Sequence, residues 1–306
     1  PYKPMFNRAV QAPYPPGSVF KLVNGLIGLE EGVITPNTQY VCNGSVSRPI
    51  RCTHSHGKYV DLEEGIEQSC NPYFWSMYKD LLQRKGYVGE NEGFKDCYQE
   101  WRDHVMSFGL GSRFDDTDIR EQASGAIPSV GLYDKIYGKT GWKALTIRSL
   151  SIGQGEILVT PLQLANQAAA IANKGYYITP HLNKNDSMKS EIHRTSIDEK
   201  YFDVVHRGMA RVMTDGTGRW YNVPELHICG KTGTVENPHG EDHALFIGFA
   251  PQEDPKIAIA VAVENAGFGS KTACPIATLV MEQYLTGQIT RSWLYDEMVN
   301  MNLIAN

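Results

Sequence analysis

The last third of the chain changes its hydrophobic rhythm, and that change limits the folds open to it. His227 to Val235, Ala244 to Ala250 and Ile257 to Val263 are β-branched or alternating runs, parted by turn-rich segments carrying Pro238, Gly240, Pro251 and Asp254. This spacing predicts three strands of an antiparallel meander. A helix is expected behind them, from about Ala273 to Thr286. Ahead of them the period is helical: Ser18 to Glu31, Asn71 to Leu82 with Asn71 as N-cap and Pro72 as first residue, and Thr160-Pro161 to Asn173. Ser196 with Glu199 predicts a capping box before a further helix ending near Asp215-Gly216. Helices, then antiparallel strands, then a helix make an α/β (α+β) layout with helices packed on a sheet. Residues 32–145 read as mostly helical and irregular, and 219–306 as antiparallel strands and a C-terminal helix. No internal repeat is present.

Charge narrows the function classes. The 306 residues carry 29 Lys+Arg against 34 Asp+Glu, a formal net charge of -5, so no general field draws the chain to nucleic acid or acidic membranes. No apolar run approaches the ~20 residues that span a bilayer. The Pro-led opening PYKPMFNRAV is neither a signal nor an anchor, and an excised fragment is expected.

Three short motifs carry chemistry. Ser18 and Lys21 stand three apart at a helix start, on one face. A serine hydroxyl needs an adjacent base to act as a nucleophile, and a lysine serves once burial or a nearby cation lowers its pKa. The string alone is weak, since Ser55 and Lys58 repeat it. Ser69-Cys70-Asn71 is a Ser-x-Asn motif ahead of a helix, where simple capping by Asn71 is the plainer reading. Lys231-Thr232-Gly233-Thr234 falls within the first predicted strand of the meander. There Gly233 admits close approach of a ligand backbone, while the ammonium and hydroxyls suit a carboxylate. Lys139-Thr140-Gly141 repeats part of the third motif without a strand around it. The three motifs in this order, each in its context, point to serine acyl transfer on D-Ala-D-Ala or β-lactam substrates.

With these motifs the chain resembles the transpeptidase domain of class B, monofunctional penicillin-binding proteins of the cell-elongation type. Tyr14-Pro15-Pro16-Gly17-Ser18, Ser151-Ile152-Gly153-Gln154-Gly155, Val159 to Ala165 and His243 to Pro251 carry the same likeness. The resemblance implies a serine β-lactamase/DD-peptidase-like fold, with a central antiparallel sheet flanked by helices and a mostly helical subdomain. In that family two strands precede the nucleophile. Only 17 residues stand before Ser18, so those strands, the dimerisation region and the membrane anchor are expected to be absent from this chain. The resemblance further implies that Ser18 attacks the penultimate D-Ala of a peptidoglycan stem peptide ending in D-Ala-D-Ala, with Lys21 as proton acceptor. Ser69 and Asn71 would relay protons and hold the substrate amide. Lys231 would keep the field positive, and Thr232, Gly233 and Thr234 would bind substrate. The N–H groups of Ser18 and Thr234 would form the oxyanion hole, and β-lactams would trap Ser18. A bacterial inner-membrane location facing the periplasm follows, beside a membrane glycan polymerase and an elongation scaffold reached through the missing region. No nucleic acid and no catalytic cofactor are expected.

Cys42-x9-Cys52-x3-His56-x13-Cys70 offers three thiolates and an imidazole, the ligand set of a closed structural zinc site, and some family members hold zinc with carboxylates, His and Cys. His54 is the alternative imidazole, and a Cys42–Cys52 disulfide the alternative to a metal. Cys97, Cys229 and Cys274 are read as packing residues. Rival functions are a D-Ala-D-Ala carboxypeptidase or β-lactamase, which use water as acceptor, and a non-catalytic β-lactam sensor or scaffold.

Overall fold

The computed structural model describes residues 3, 5–86, 92–184 and 191–303. In chain order its strands are β1 (Tyr40–Val41), β2 (Tyr59–Val60), β3 (Tyr176–Ile178), β4 (Ile192–Arg194), β5 (Cys229–Val235), β6 (His243–Ala250) and β7 (Ile257–Val263). The helices are α1 (Arg8–Gln11), α2 (Lys21–Glu30), α3 (Leu62–Glu67), α4 (Asn71–Gln83), α5 (Glu92–Met106), α6 (Val130–Tyr137), α7 (Pro161–Ala172), α8 (Phe202–Thr214), α9 (Ala273–Thr286) and α10 (Ser292–Asn300). Strands β5, β6 and β7 form one antiparallel sheet in that order, with Lys231 opposite Ile247 and Thr234 opposite Ala244. The middle strand β6 is buried from Ala244 to Ala250, because α7, α8 and α9 pack on the sheet. That is why it reads as a continuous apolar run rather than an alternating one.

The second determinant is α2, which is buried from Lys21 to Leu29. A helix apolar all round must lie inside a protein, and burying each of its Leu, Ile and Val side chains contributes about 1.5–3 kcal/mol. Its one interior amide is fully paired: Asn24 donates to the Leu150 and Ser151 carbonyls at 3.2 and 3.0 Å, and accepts from the Trp101 indole at 2.8 Å. This ties α2 to the 3-10 helix Arg148–Ile152 and to α5. On α7, Gln167 donates to the Val19 carbonyl at 3.1 Å, and Thr160 with Gln163 closes a capping box.

Several local expectations shift. The helix expected from Ser18 splits into a 3-10 turn, Gly17–Phe20, followed by α2. Cys70, not Asn71, is the N-cap of α4, so Asn71 is its first residue and its side chain is free for other work. Ser196 does not cap: its hydroxyl bonds His104 and Ser107, while Asp198 caps the 3-10 turn Glu199–Tyr201 that leads into α8. The strand expected from His227 begins at Cys229, after His227 takes a left-handed conformation. Helix α10 escaped the periodicity because it buries only Leu294.

Gly17 and Gly153 hold the Ser18 turn against the 3-10 helix Arg148–Ile152. The Gly17 N–H donates to the Gly153 carbonyl at 2.7 Å, and both residues have left-handed φ, +57° and +70°. A Cβ on Gly153 would lie 2.2 Å from the Gly17 carbonyl oxygen, whereas one on the left-handed Gly32 meets nothing. Gly153→Ala is therefore expected to cost about 3 kcal/mol or more, and Gly32→Ala about 1 kcal/mol. Chemical denaturation of the two variants checks this, and equal losses would contradict it.

Candidate active site

Ser18 lies in the 3-10 turn, whose three-residue period stacks positions i and i+3. It therefore presents Ser18 and Lys21 on the same side. Val19 and Phe20 are fully buried and fix the turn, and a Cβ on Gly17 would lie 2.9 Å from the Thr234 carbonyl oxygen. The Ser18 turn thus rests directly on the outer edge of β5. The Ser18 hydroxyl forms no hydrogen bond among the described residues and faces a cavity of about 300 Å³.

Lys21 is completely buried and donates to the Ser69 carbonyl at 2.8 Å, the Ser69 hydroxyl at 3.1 Å and Asn71 Oδ1 at 2.6 Å. These contacts join the first two motifs across 48 and 50 residues of sequence. Burial lowers the Lys21 pKa to about 8, against the opposing pull of the neighbouring Cys70 and Cys52.

Ser69 reaches Lys21 because it ends α3 in a left-handed conformation, φ +54°. The Cys70 N–H donates to the Gly65 carbonyl at 2.9 Å and the Ser69 N–H to the Ile66 carbonyl at 3.2 Å. This is the Schellman pattern, which usually places glycine at the left-handed position. A serine there carries backbone strain of about 1–3 kcal/mol, and the strain sets its hydroxyl beside Lys21. Asn71, freed from capping, also donates through Nδ2 to the Arg51 carbonyl at 3.0 Å.

The third motif lies on β5, an edge strand whose only partner among the described residues is β6. Lys231 is fully buried and donates to the Thr232 carbonyl at 3.1 Å. Burial, then the neighbouring Lys21, holds its pKa well below the ordinary lysine value. Thr232 pairs its hydroxyl with that of Thr217 at 2.6 Å. The Thr234 hydroxyl accepts from the Gly269 N–H at 3.4 Å, and the Thr234 carbonyl accepts from Gln154 Nε2 at 3.3 Å. Since N–H and C=O of one strand residue point to the same edge, the Thr234 N–H also faces the open side, toward Ser18. A Cβ on Gly233 would press on Leu245 and Val19, both at 3.1 Å, so glycine lets the sheet and the Ser18 turn close together.

The cavity gathers Ser18, Ser69, Asn71, Thr232 and Thr234 on common walls, with Lys21 and Lys231 buried behind them. Thr53, His54, Ile152, Gln154, Thr217, Glu236, Asp242, Phe268 and Ser270 complete the lining. Of these, Ile152 and Gln154 stood within a string singled out in the sequence, and His54 was named there as the alternative imidazole of the cysteine cluster. The remainder come from loops with no periodic signal. The partial copy Lys139–Gly141 forms an exposed turn after α6 and takes no part.

Behind the second motif, one ligand atom from each of Cys42, Cys52, His56 and Cys70 lies within 4.8 Å of the others. The His56 Nδ1 bonds the Gly57 carbonyl at 2.8 Å while Nε2 faces the Cys52 sulfur at 3.2 Å, the orientation a metal-binding imidazole adopts. All three cysteines are free thiols, so no Cys42–Cys52 disulfide forms, and His54 lines the cavity instead of joining the cluster. Tetrahedral zinc with ~2.3 Å Zn–S bonds sets sulfurs about 3.8 Å apart, a spacing this cluster accommodates.

The family described as "Penicillin binding protein transpeptidase domain" matches residues 1–282. The peptidoglycan D,D-transpeptidase MrdA of Acinetobacter baumannii is 30% identical, over 92% of this chain and 44% of the relative. Solved structures are similar too. Penicillin-binding protein PBP2 of Pseudomonas aeruginosa gives a TM-score of 0.75 at 31% identity, covering 95% of this chain and 63% of that one. Helicobacter pylori PBP2, in a complex with MreC, gives 0.76 at 25% identity, covering 94% and 52%. The chain spans about half the length of the curated relatives it matches. With the family matched over most of its length and its three motifs converging on one cavity, this chain belongs to the penicillin-binding protein transpeptidase domains.

Proposed function

We propose that this chain is the acyl-transfer domain of a peptidoglycan D,D-transpeptidase of the elongation type. The observation that carries the reading is Lys21, buried, with a lowered pKa and bonded to Ser69 and Asn71, one 3-10 turn on from Ser18, whose hydroxyl lines the cavity without a hydrogen bond among the described residues. A stem peptide adds to the open edge of β5, its terminal carboxylate on the Thr232 and Thr234 hydroxyls in the field of Lys231. Its scissile carbonyl oxygen then sits between the Ser18 and Thr234 N–H groups. Neutral Lys21 takes the Ser18 proton as Oγ bonds the carbonyl carbon. The tetrahedral oxyanion collapses, the C–N bond breaks, and Ser69 relays a proton to the departing D-Ala amine. The amine of a second stem peptide attacks the Ser18 ester, loses its proton through the same relay and releases Ser18, leaving a cross-link.

A β-lactam follows the first half only, since ring opening leaves the amine tethered. Intact mass after incubation with benzylpenicillin is expected to rise by the full mass of the drug, with the gain absent in Ser18→Ala. Persistence of the adduct for hours marks a transpeptidase, and loss within seconds a β-lactamase. No adduct on the unaltered protein would overturn the reading.

Acylation requires the unprotonated amine of Lys21. With a pKa of about 8, the neutral fraction climbs about tenfold per pH unit below that value. The second-order acylation rate is thus expected to rise from pH 6 to 8 and level off above. Lys21→Arg, which stays protonated, is expected to be about 10²–10⁴-fold slower and to lack this rise. A rate falling across the same range would contradict the assignment.

The cluster Cys42, Cys52, His56 and Cys70 is read as a structural tetrahedral zinc site. It would pin the loop 42–70 to Ser69-Cys70-Asn71 and take no part in the chemistry. Metal analysis of protein purified without added metal is expected to find about one zinc per chain, and chelation to lower the melting temperature. A small fraction of one zinc would sink the idea.

No helix among the described residues is long and apolar enough to cross a membrane. The proposed setting is the periplasmic face of the inner membrane, with the anchor in another part of the protein. A membrane glycan polymerase and a scaffold are the proposed partners, the first by analogy with a similar solved peptidoglycan synthase complex that couples polymerization to crosslinking and the second with the MreC complex of the H. pylori relative.

A further inference from the structure

Beside β5 the third motif meets a tight turn. Helix α8 gives way to Asp215-Gly216-Thr217-Gly218, and the Gly216 and Gly218 N–H groups donate back to the Arg211 and Val212 carbonyls at 2.8 and 2.9 Å. A Cβ on Gly216 would lie 2.4 Å from the Glu67 carbonyl oxygen, two residues before Ser69. The turn is thus pressed against the end of α3 that leads into the second motif. From this seat Thr217, partly buried, lines the cavity and sets its hydroxyl 2.6 Å from that of Thr232, a residue only 6% exposed.

Proton counting gives this pair a direction. A hydroxyl has one proton to donate and two lone pairs that accept, whereas an ionised carboxylate only accepts. Thr232 and Thr234 stand two apart on β5 and so share one face of the strand, and each must donate its proton to a carboxylate bound there. The Thr234 oxygen accepts from the Gly269 N–H at 3.4 Å, a group that only donates, so the Thr234 proton is left for the cavity. The Thr232 hydroxyl bonds only the Thr217 hydroxyl among the described residues, and either of the two can be the donor. With a carboxylate bound, one arrangement remains: Thr217 donates to Thr232, and Thr232 donates to the carboxylate. A hydroxyl that already accepts a hydrogen bond is polarised into a stronger donor, and Thr217 supplies that bond.

Resting on the acyl-transfer reading above, we propose that Thr217 is a positioning residue for the substrate's terminal carboxylate: it holds the Thr232 hydroxyl as a donor, and so favours substrates with a free carboxylate over neutral ones, without touching the substrate itself.

Benzylpenicillin and its methyl ester present the same reactive ring with and without the carboxylate charge. Second-order acylation rates for both, followed by intact mass, are compared in the unaltered protein and its variants. Thr217→Val keeps the side-chain shape and removes the hydroxyl. It is expected to slow acylation by benzylpenicillin about tenfold, what one hydrogen bond of ordinary strength contributes, and to change the ester rate by no more than about twofold. Thr217→Ala, which also lacks the hydroxyl, is expected to match it, and Thr217→Ser to keep the acid-to-ester ratio of the unaltered protein. In a Thr232→Val background, adding Thr217→Val is expected to change neither rate, because Thr217 acts only through Thr232. Equal slowing of both compounds by the valine and alanine variants assigns the turn a purely structural role and overturns the proposal, as does a ratio that neither variant moves. A further loss with benzylpenicillin in the double variant also overturns it, by placing Thr217 on the carboxylate directly. Absence of any adduct on the unaltered protein would instead defeat the acyl-transfer reading on which the proposal stands.

Discussion

A lysine side chain with no contact with water organises this molecule. Taking the Lys21 ammonium out of water costs several kcal/mol, and its three hydrogen bonds to Ser69 and Asn71, at roughly 1.5–3 kcal/mol each for a charged donor, offset that cost. The bonds therefore carry stability and reactivity together. They hold α2 to the junction of α3 and α4, and the same burial draws the amine toward the neutral form that can accept a proton. Lys231, buried nearby, is itself drawn toward the neutral form, by burial first and then by repulsion from Lys21.

Around this pair the supporting structure is mostly backbone geometry. The Schellman end of α3 forces Ser69 into a left-handed conformation, and α4 starts one residue later, so a single turn serves as helix stop, helix start and motif. Cys70, between the two motif residues, ties that turn to the Cys/His cluster, while Asn71 reaches back to the Arg51 carbonyl beside Cys52. Ahead of α3, the loop from Cys42 is shaped by little more than the short β1–β2 pairing and the 3-10 turn Gly44–Val46. On the opposite wall, Gly17, Gly153 and Gly233 allow three backbones to approach within distances that a Cβ would not permit.

Much of this was legible in the residues. Strand β7 and helix α9 lie where their patterns put them, β7 as a β-branched run half-buried along its whole length and α9 as a helix buried along most of one side, and the three motifs lie in the contexts that distinguish them from their partial copies. What escaped was decided by neighbours distant in sequence. Asn71 looks like an N-cap because local chemistry favours it, but Lys21, 50 residues away, claims its oxygen. Ser196 looks like one too, yet His104 and Ser107 hold its hydroxyl.

The sequence by itself determined the order of elements, the reactive residue types and the family, because hydrophobic period and motif spacing are local properties of a chain. Tertiary structure alone decided which serine and which lysine meet, which thiols converge, and that Glu236 and Asp242 share a cavity with Ser18. Those outcomes depend on charge burial and backbone approach between segments that lie as much as 224 residues apart, as Ser18 and Asp242 do, energies that exist only once the core has closed around them.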